Sequence, residues 1–199
     1  SEFFVRPAHQ MPGPTGIGCL VGSHGVLRAL PALLGCGDMI LVVHKDKTTY
    51  NGPPHRYDAG TPDVGGVYGL RAAIRYLEDV GMRKIHAWEK EVMLYAMERL
   101  AEENIKVHGP SLESVASGEV DKVGVISFEV DGVHPHDVGT ILDEAGVCIR
   151  VGHHCCQLLM ERWHVSATCR ASLYLYNDRA DIDRLIEAIG QVRKIYKRN

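Results

Sequence analysis

No apolar run in this 199-residue chain approaches the roughly 20 residues needed to cross a membrane, so a membrane span is not expected. Net basic charge is missing too. Lys and Arg number 22 against 25 Asp and Glu, and a net charge of -3 gives no field to gather nucleic acid. The first residues, Ser1-Glu-Phe-Phe-Val-Arg, have neither the charged region nor the long apolar stretch of a signal peptide, and Ser1-Glu-Phe is open to a reading as a cloning remnant. Six cysteines are too sparse for the disulfide framework of a small secreted protein, which points to reduced thiols and a cytoplasmic location. Internal repeats and low-complexity segments are absent. With 45% hydrophobic residues there is enough apolar material for a core in one domain or two small ones.

Along the chain, Gly13-Pro-Thr-Gly-Ile-Gly-Cys-Leu-Val-Gly22 reads as a turn leading into a short strand. Residues 38–64 read as irregular, with Thr48-Thr-Tyr-Asn-Gly-Pro-Pro54 and Ala59-Gly-Thr-Pro62 as loop chemistry. Two helices are expected next, one with Val67, Leu70, Ile74 and Leu77 on its apolar face, the other with Ile85, Trp88, Val92, Tyr95 and Leu100. The helical pattern ends near Ile105, and a domain boundary is placed there, dividing residues 1–105 from 106–199. The remainder alternates. A strand over 123–130 aligns Ile126, Phe128 and Val130, and a helix over 136–145 stops at Gly146. Strands are expected over 147–151 and 171–176. Asn177 is expected to cap a last helix facing inward with Ile182, Leu185, Ile186, Ile189 and Val192. The basic end, Arg193-Lys-Ile-Tyr-Lys-Arg198, reads as a solvated helix terminus. The fold class is α/β, ending in a small α+β domain with a sheet covered on one side by helices.

Chemistry concentrates in Arg150-Val-Gly-His-His-Cys-Cys156 and Cys169-Arg-Ala-Ser-Leu173. A thiol beside basic side chains is a potential nucleophile, because nearby positive charge favours the reactive thiolate. The planar fork of an arginine such as Arg170 suits two-point capture of a carboxylate. Cys155 is also open to a reading as an ordinary loop thiol, and Arg170 to one as a structural ion-pair partner. The cluster His153-His154-Cys155-Cys156 has metal-binding donors, with His164 the best further ligand, but adjacent ligands rarely converge on one ion and no metal site is expected. Cys156 and Cys169 are read as packing residues, with a relay thiol as the alternative for Cys156. The histidines at 24, 44, 55, 86, 108, 134 and 136 are read as surface or capping groups. Gly13-Pro-Thr-Gly-Ile-Gly18 lacks the lysine and spacing of a P-loop.

These motifs, with Tyr176-Asn177, resemble the C-terminal domain of Suf-type cysteine desulfurases, members of the class V, fold-type I pyridoxal-phosphate (PLP) enzymes. Gly13-Pro-Thr-Gly-Ile-Gly18 is similar to the segment after the family's cofactor lysine, and Ala59-Gly-Thr-Pro62 to its phosphate-contacting loop. The resemblance implies that Cys155 is the persulfide-forming nucleophile, which attacks the sulfur of a PLP-bound L-cysteine and leaves alanine. It puts Arg170 on the substrate carboxylate, Thr61 on the PLP phosphate of a partner subunit, and His9 just before the cofactor lysine. Gln10 then stands at the lysine itself. A carboxamide forms no imine and shuttles no proton, because its nitrogen lone pair is delocalised into the carbonyl. Pro7 stands where the family has a phosphate-binding serine. PLP binding by this chain alone is therefore not expected. A complete family member is about twice as long, so 1–105 is read as a remnant of the large domain and 106–199 as the small domain. The expected partners are a second copy in a homodimer, a subunit supplying the N-terminal half, or a sulfur-acceptor protein in iron–sulfur cluster assembly. Four readings compete: an incomplete desulfurase, a non-catalytic persulfide acceptor or regulator, a His/Cys metal-binding module, and a truncated or decayed gene product that folds without activity.

Overall fold

A computed structural model describes residues 2–196. It is a mixed α/β architecture in two compact units, the first ending at Gly81 and the second beginning at Met82.

In the first unit, β1 (Phe3–Pro7) and β2 (Gly18–Gly22) form an antiparallel ribbon in which Phe3 pairs with Gly22 and Pro7 with Gly18. A tight 3-10 turn over Ala8–Gln10 follows β1. The buried Ala8 organises it, donating its N–H to Ile17 O (2.9 Å) and accepting from the N–H groups of Met11 and Gly13. Next come α1 (His24–Ala29), capped by Ser23, and a second ribbon of β3 (Ile40–Val43) and β4 (Thr48–Tyr50). The segment expected to be irregular is thus partly sheet, and it is pinned in place. Arg56 donates to Asn51 O, Arg28 O and Leu30 O, while the Tyr57 hydroxyl donates to Leu30 O (3.0 Å). At Arg28 O and Leu30 O these side chains satisfy carbonyls at the end of α1 that have no partner within the helix.

The unit closes with α2 (Val64–Val80), whose first turn is capped by Asp63 accepting from the Gly66 N–H at 2.9 Å. Its buried line is Gly66, Ala73 and Leu77, whereas Val67 and Ile74 of the expected apolar face are exposed. Asp63→Ala is expected to cost about 1 kcal/mol locally. Hydrogen exchange should show the Gly66 amide opening about fivefold faster, with the centre of α2 less affected.

The second unit begins with α3 (Met82–Glu102), β5 (Lys106–His108), α4 (Leu112–Ala116) and β6 (Val125–Glu129). It continues with α5 (Pro135–Glu144), β7 (Arg150–Gly152), α6 (Gln157–Arg162), β8 (Thr168–Ser172) and α7 (Arg179–Tyr196). The four strands pair antiparallel in the order β5-β6-β8-β7. Period-two alternation sends Ile126, Phe128, Cys169 and Ala171 into the core. There they meet Val92, Met93, Met97 and Leu100 of α3, Val138 and Leu142 of α5, and Ile182, Leu185, Ile189 and Val192 of α7.

This packing moves the boundary expected near residue 105. The inward face of α3 belongs to the second unit's core, and Tyr95 and Arg99 of α3 both bond Asp183 of α7, so compact packing divides the chain at Gly81 instead. β8 starts three residues earlier than expected and ends at Ser172, because Asn177 Oδ1 accepts from the Tyr174 N–H (2.9 Å) and folds 174–177 into a turn. The cap of α7 accordingly falls to Asp178, whose carboxylate accepts from the Asp181 N–H. In the basic end, Arg193 bonds Glu103, while Lys197 and Arg198 lie outside the described residues. Gly124 is required by a close approach: a Cβ there would sit 2.8 Å from Leu173 O. No helix of the described residues is long and apolar enough to cross a membrane.

Candidate active site

The sheet face opposite the core carries a cross-strand row. It runs His108, Ser127, Arg170, Arg150, and beside it lie the pairs Lys106 with Glu129 and Thr168 with Gly152. Arg150 and Arg170 are therefore directly opposed across β7 and β8, a like-charged arrangement that is unfavourable without an anion. Neither has an ion-pair partner among the described residues, and Arg170 Nε is buried with no hydrogen-bond acceptor. Arg170 sits in mid-strand rather than at a strand start.

Cys155 leaves this sheet on a sharp turn. The Cys156 N–H donates to His153 O (2.8 Å), and the two residues between, His154 (φ +54°) and Cys155 (φ +59°), are both left-handed. That is the pattern of a type I′ turn, which normally selects glycine or asparagine. Each non-glycine residue held there costs about 1 kcal/mol or more. The result is an exposed Cys155 on a pocket of about 360 Å³ lined by His134, His136, Arg150, His153, His154 and Ser166 among others. Arg170 does not line this pocket; it is joined to the turn through its strand, since His154 Nε2 lies 3.1 Å from Thr168 O and 3.0 Å from Thr168 Oγ1. Burial, and then the positive charges of Arg170, Arg150 and His153, hold the His154 imidazole below its ordinary range despite that bond.

The other sulfurs separate by environment. Cys169 is wholly buried in the core, and burial pushes its thiol up to about 12. Cys156 is exposed just before α6, so it is not the packing residue expected. Among the described residues, no three of His, Cys, Asp and Glu converge as a metal site, so the His/Cys metal module finds no ligand set.

Sequence reasoning missed the pocket histidines. His134 does cap α5, its Nδ1 accepting from the His136 N–H, and both rings also line the Cys155 pocket. His108 is neither surface nor cap. It is buried, stacked on Trp163 (centroids 4.5 Å apart) and bonded to Glu129, which also pairs with Lys106 at 3.0 Å. Trp163 ends α6, so the stack clasps that helix to β5. Burial raises the Glu129 carboxyl, but its bonds to Lys106 and His108 outweigh this and hold it below the ordinary carboxylate range. A carboxyl lowered on folding contributes stability above its unfolded value, lost as pH falls through the folded one. The urea midpoint of wild-type protein should therefore drop across the acid range, and Glu129→Gln should flatten that dependence.

In the first unit, His9 and Gln10 are neighbours on the 3-10 turn after β1, both exposed. His9 lines a largely apolar hollow with Arg6, Pro7 and Gly16–Leu20. Thr61 is exposed on a separate bend, two residues before the Asp63 cap of α2.

A family model described as Aminotransferase class-V matches residues 1–185. The chain belongs to the aminotransferase class-V family. Within that family, it is 42% identical over 197 residues to a probable cysteine desulfurase of Staphylococcus aureus and, at the same identity and length, to one of Streptomyces coelicolor. Each alignment covers 98% of this chain and 46% of the relative, so the chain spans about half the length of the curated relatives it matches. Among solved structures, a cysteine desulfurase of Thermococcus onnurineus in its apo form superposes with a TM-score of 0.89 at 34% identity. The cysteine desulfurase CsdA of Escherichia coli, as an S-sulfonic acid, superposes at 0.88 and 32%. Both comparisons cover 98% of this chain, and 47% and 46% of those chains. The class-V chain is thus a partial fold-type I architecture, and its homologues are cysteine desulfurases.

Proposed function

We propose that this chain is the sulfur-carrying part of a Suf-type cysteine desulfurase, with Cys155 as the thiol that holds sulfur as a persulfide. The observation that carries the reading is the exposed Cys155, lifted on a left-handed turn into a basic pocket, in a class-V chain whose relatives are named cysteine desulfurases. Arg170 is a carboxylate clamp, which would take the carboxylate of L-cysteine where another chain completes the site. Its orphaned Nε and the like-charged Arg150 across the ladder both favour an anion there. The unit ending at Gly81 is assigned as the remnant of the large domain and the unit beginning at Met82 as the small domain, in a cytoplasmic protein that keeps its thiols reduced.

The cofactor of the family is PLP, which there supplies an electron sink. The residues present do not fit it. On the turn after β1, Pro7 has no backbone N–H, and Gln10 offers a carboxamide where the family has its lysine. Thr61 and His9 are the remaining contacts, one hydroxyl and one imidazole without an amine. The chain is therefore assigned sulfur transfer rather than sulfur extraction. The Cys155 thiolate attacks the outer sulfur of a donor persulfide, a new S–S bond forms at Cys155, the donor's S–S bond breaks, and the donor leaves as its thiolate.

Incubation with an active desulfurase and L-cysteine tests this. Mass spectrometry should show one added sulfur atom on Cys155, and an unmodified Cys155 would count against the proposal. The retained Arg170 favours a second reading, in which another chain, or the partner in a homodimer, completes a PLP site and alanine is released. Alanine formed from L-cysteine and PLP only when such a partner is added would select it.

A further inference from the structure

The turn that lifts Cys155 holds two left-handed residues in succession, so something outside the turn must over-determine it. One side chain does so. His154 reaches across to β8 and places Nε2 within hydrogen-bond distance of both the carbonyl and the hydroxyl of Thr168, itself wholly buried. We propose that His154 is the positioning residue of this site, its neutral imidazole fastening the Cys155 turn to β8 and so setting where the thiol is presented. The inference deepens the reading of Cys155 as the sulfur carrier and rests on it for its chemical consequence, while its geometry stands alone.

The tautomer follows from the partners. A carbonyl oxygen only accepts, so Nε2 carries the hydrogen, which it shares between Thr168 O and Oγ1. In the neutral ring Nδ1 is then a bare lone pair, and Nδ1 is indeed buried with no donor against it. The charges that weigh most on the ring are basic, Arg170 from β8 and Arg150 from β7. A second proton would add a full charge beside two arginines and would have no acceptor at Nδ1. The neutral form with hydrogen on Nε2 is the one that satisfies Thr168 without repulsion.

Thr168 lies two residues from Arg170 on the same face of β8. The anchor therefore fixes the thiol's turn to the strand that carries the carboxylate clamp. A lysine or glutamine at 154 has no rigid ring with which to hold this reach.

The test uses the full chain and three variants, His154→Ala, Thr168→Val and Thr168→Ser. Nitrogen-15 NMR of the wild type should show His154 neutral with its proton on Nε2; a proton on Nδ1 would overturn the proposal. Exchange of the Cys156 amide, which closes the turn, should quicken by about tenfold or more in His154→Ala and by a few-fold in Thr168→Val. Thr168→Ser, which restores the hydroxyl, should match wild type. Core amides of β6 should not change. Sulfur uptake at Cys155 from an active desulfurase should fall in the same order, by about tenfold or more in His154→Ala. If the Cys156 amide and sulfur uptake are both indifferent to these changes, His154 positions nothing. Should His154→Ala fail to fold, the valine and serine pair at Thr168 still decides. Wild-type protein that takes up no sulfur would sink the carrier reading, while the tautomer and amide results would still judge the anchor.

Discussion

Cys155→Ser is expected to lower sulfur uptake from an active desulfurase by about a hundredfold or more, because a hydroxyl supplies neither a thiolate nucleophile nor a sulfur to hold the persulfide. Cys156→Ser should stay within about twofold of wild type. Its side chain makes no cap bond at the start of α6, and its contribution to the turn is a backbone N–H that serine retains. Cys169 should stay unlabelled in both. Buried in the core, with its thiol pushed up to about 12, it offers almost no thiolate near neutral pH. Peptide mapping of persulfidated protein separates the three sulfurs. Uptake that survives in Cys155→Ser and disappears in Cys156→Ser would transfer the carrier role to Cys156.

The largest stability effect is expected at Phe128. It is wholly buried on the inward face of β6, in the core the sheet shares with α3, α5 and α7. Phe128→Ala should cost about 3–5 kcal/mol, lost transfer free energy plus an unfilled cavity. That is a large share of the roughly 5–15 kcal/mol that separates a folded domain from its unfolded chain. Val123→Ala, at an exposed position just before the same strand, should stay within about 0.5 kcal/mol. Urea unfolding of the two variants measures the contrast. Equal midpoints would mean that β6 is not the centre of the core.

Legibility in the sequence tracks the length of each pattern. The alternation of Ile126, Phe128 and Val130 and the spacing of Val138 and Leu142 before Gly146 are long enough to read, and the structure has those elements there. β4 and β5 have three residues each, Thr48–Tyr50 and Lys106–His108, too few to show a period, so both were hidden. The boundary near residue 105 follows the end of a helical pattern, but compactness follows where a helix buries its face, and α3 buries its own with α7.

The site divides in the same way. Cys155 and Arg170 stand out by residue type, and their local surroundings carry the chemical suggestion. The His154 anchor needs a partner 14 residues away, and the stack of His108 on Trp163 needs two elements far apart in sequence. Those relations exist only once strand register is set. Gln10 shows the opposite case. Its proposed meaning comes from the family resemblance together with what a carboxamide cannot do, and both are readable before any fold is known.

Both tryptophans, Trp88 on α3 and Trp163 at the end of α6, belong to the unit beginning at Met82, and the unit before it has none. Intrinsic indole emission is therefore a one-sided optical gauge. It will follow the sheet, the α6 clasp and the surroundings of the thiol turn, while the Gln10 turn and its ribbon carry no indole of their own. A tryptophan placed at the exposed Tyr68 of α2 would light the other half and show whether the two units unfold together or in turn.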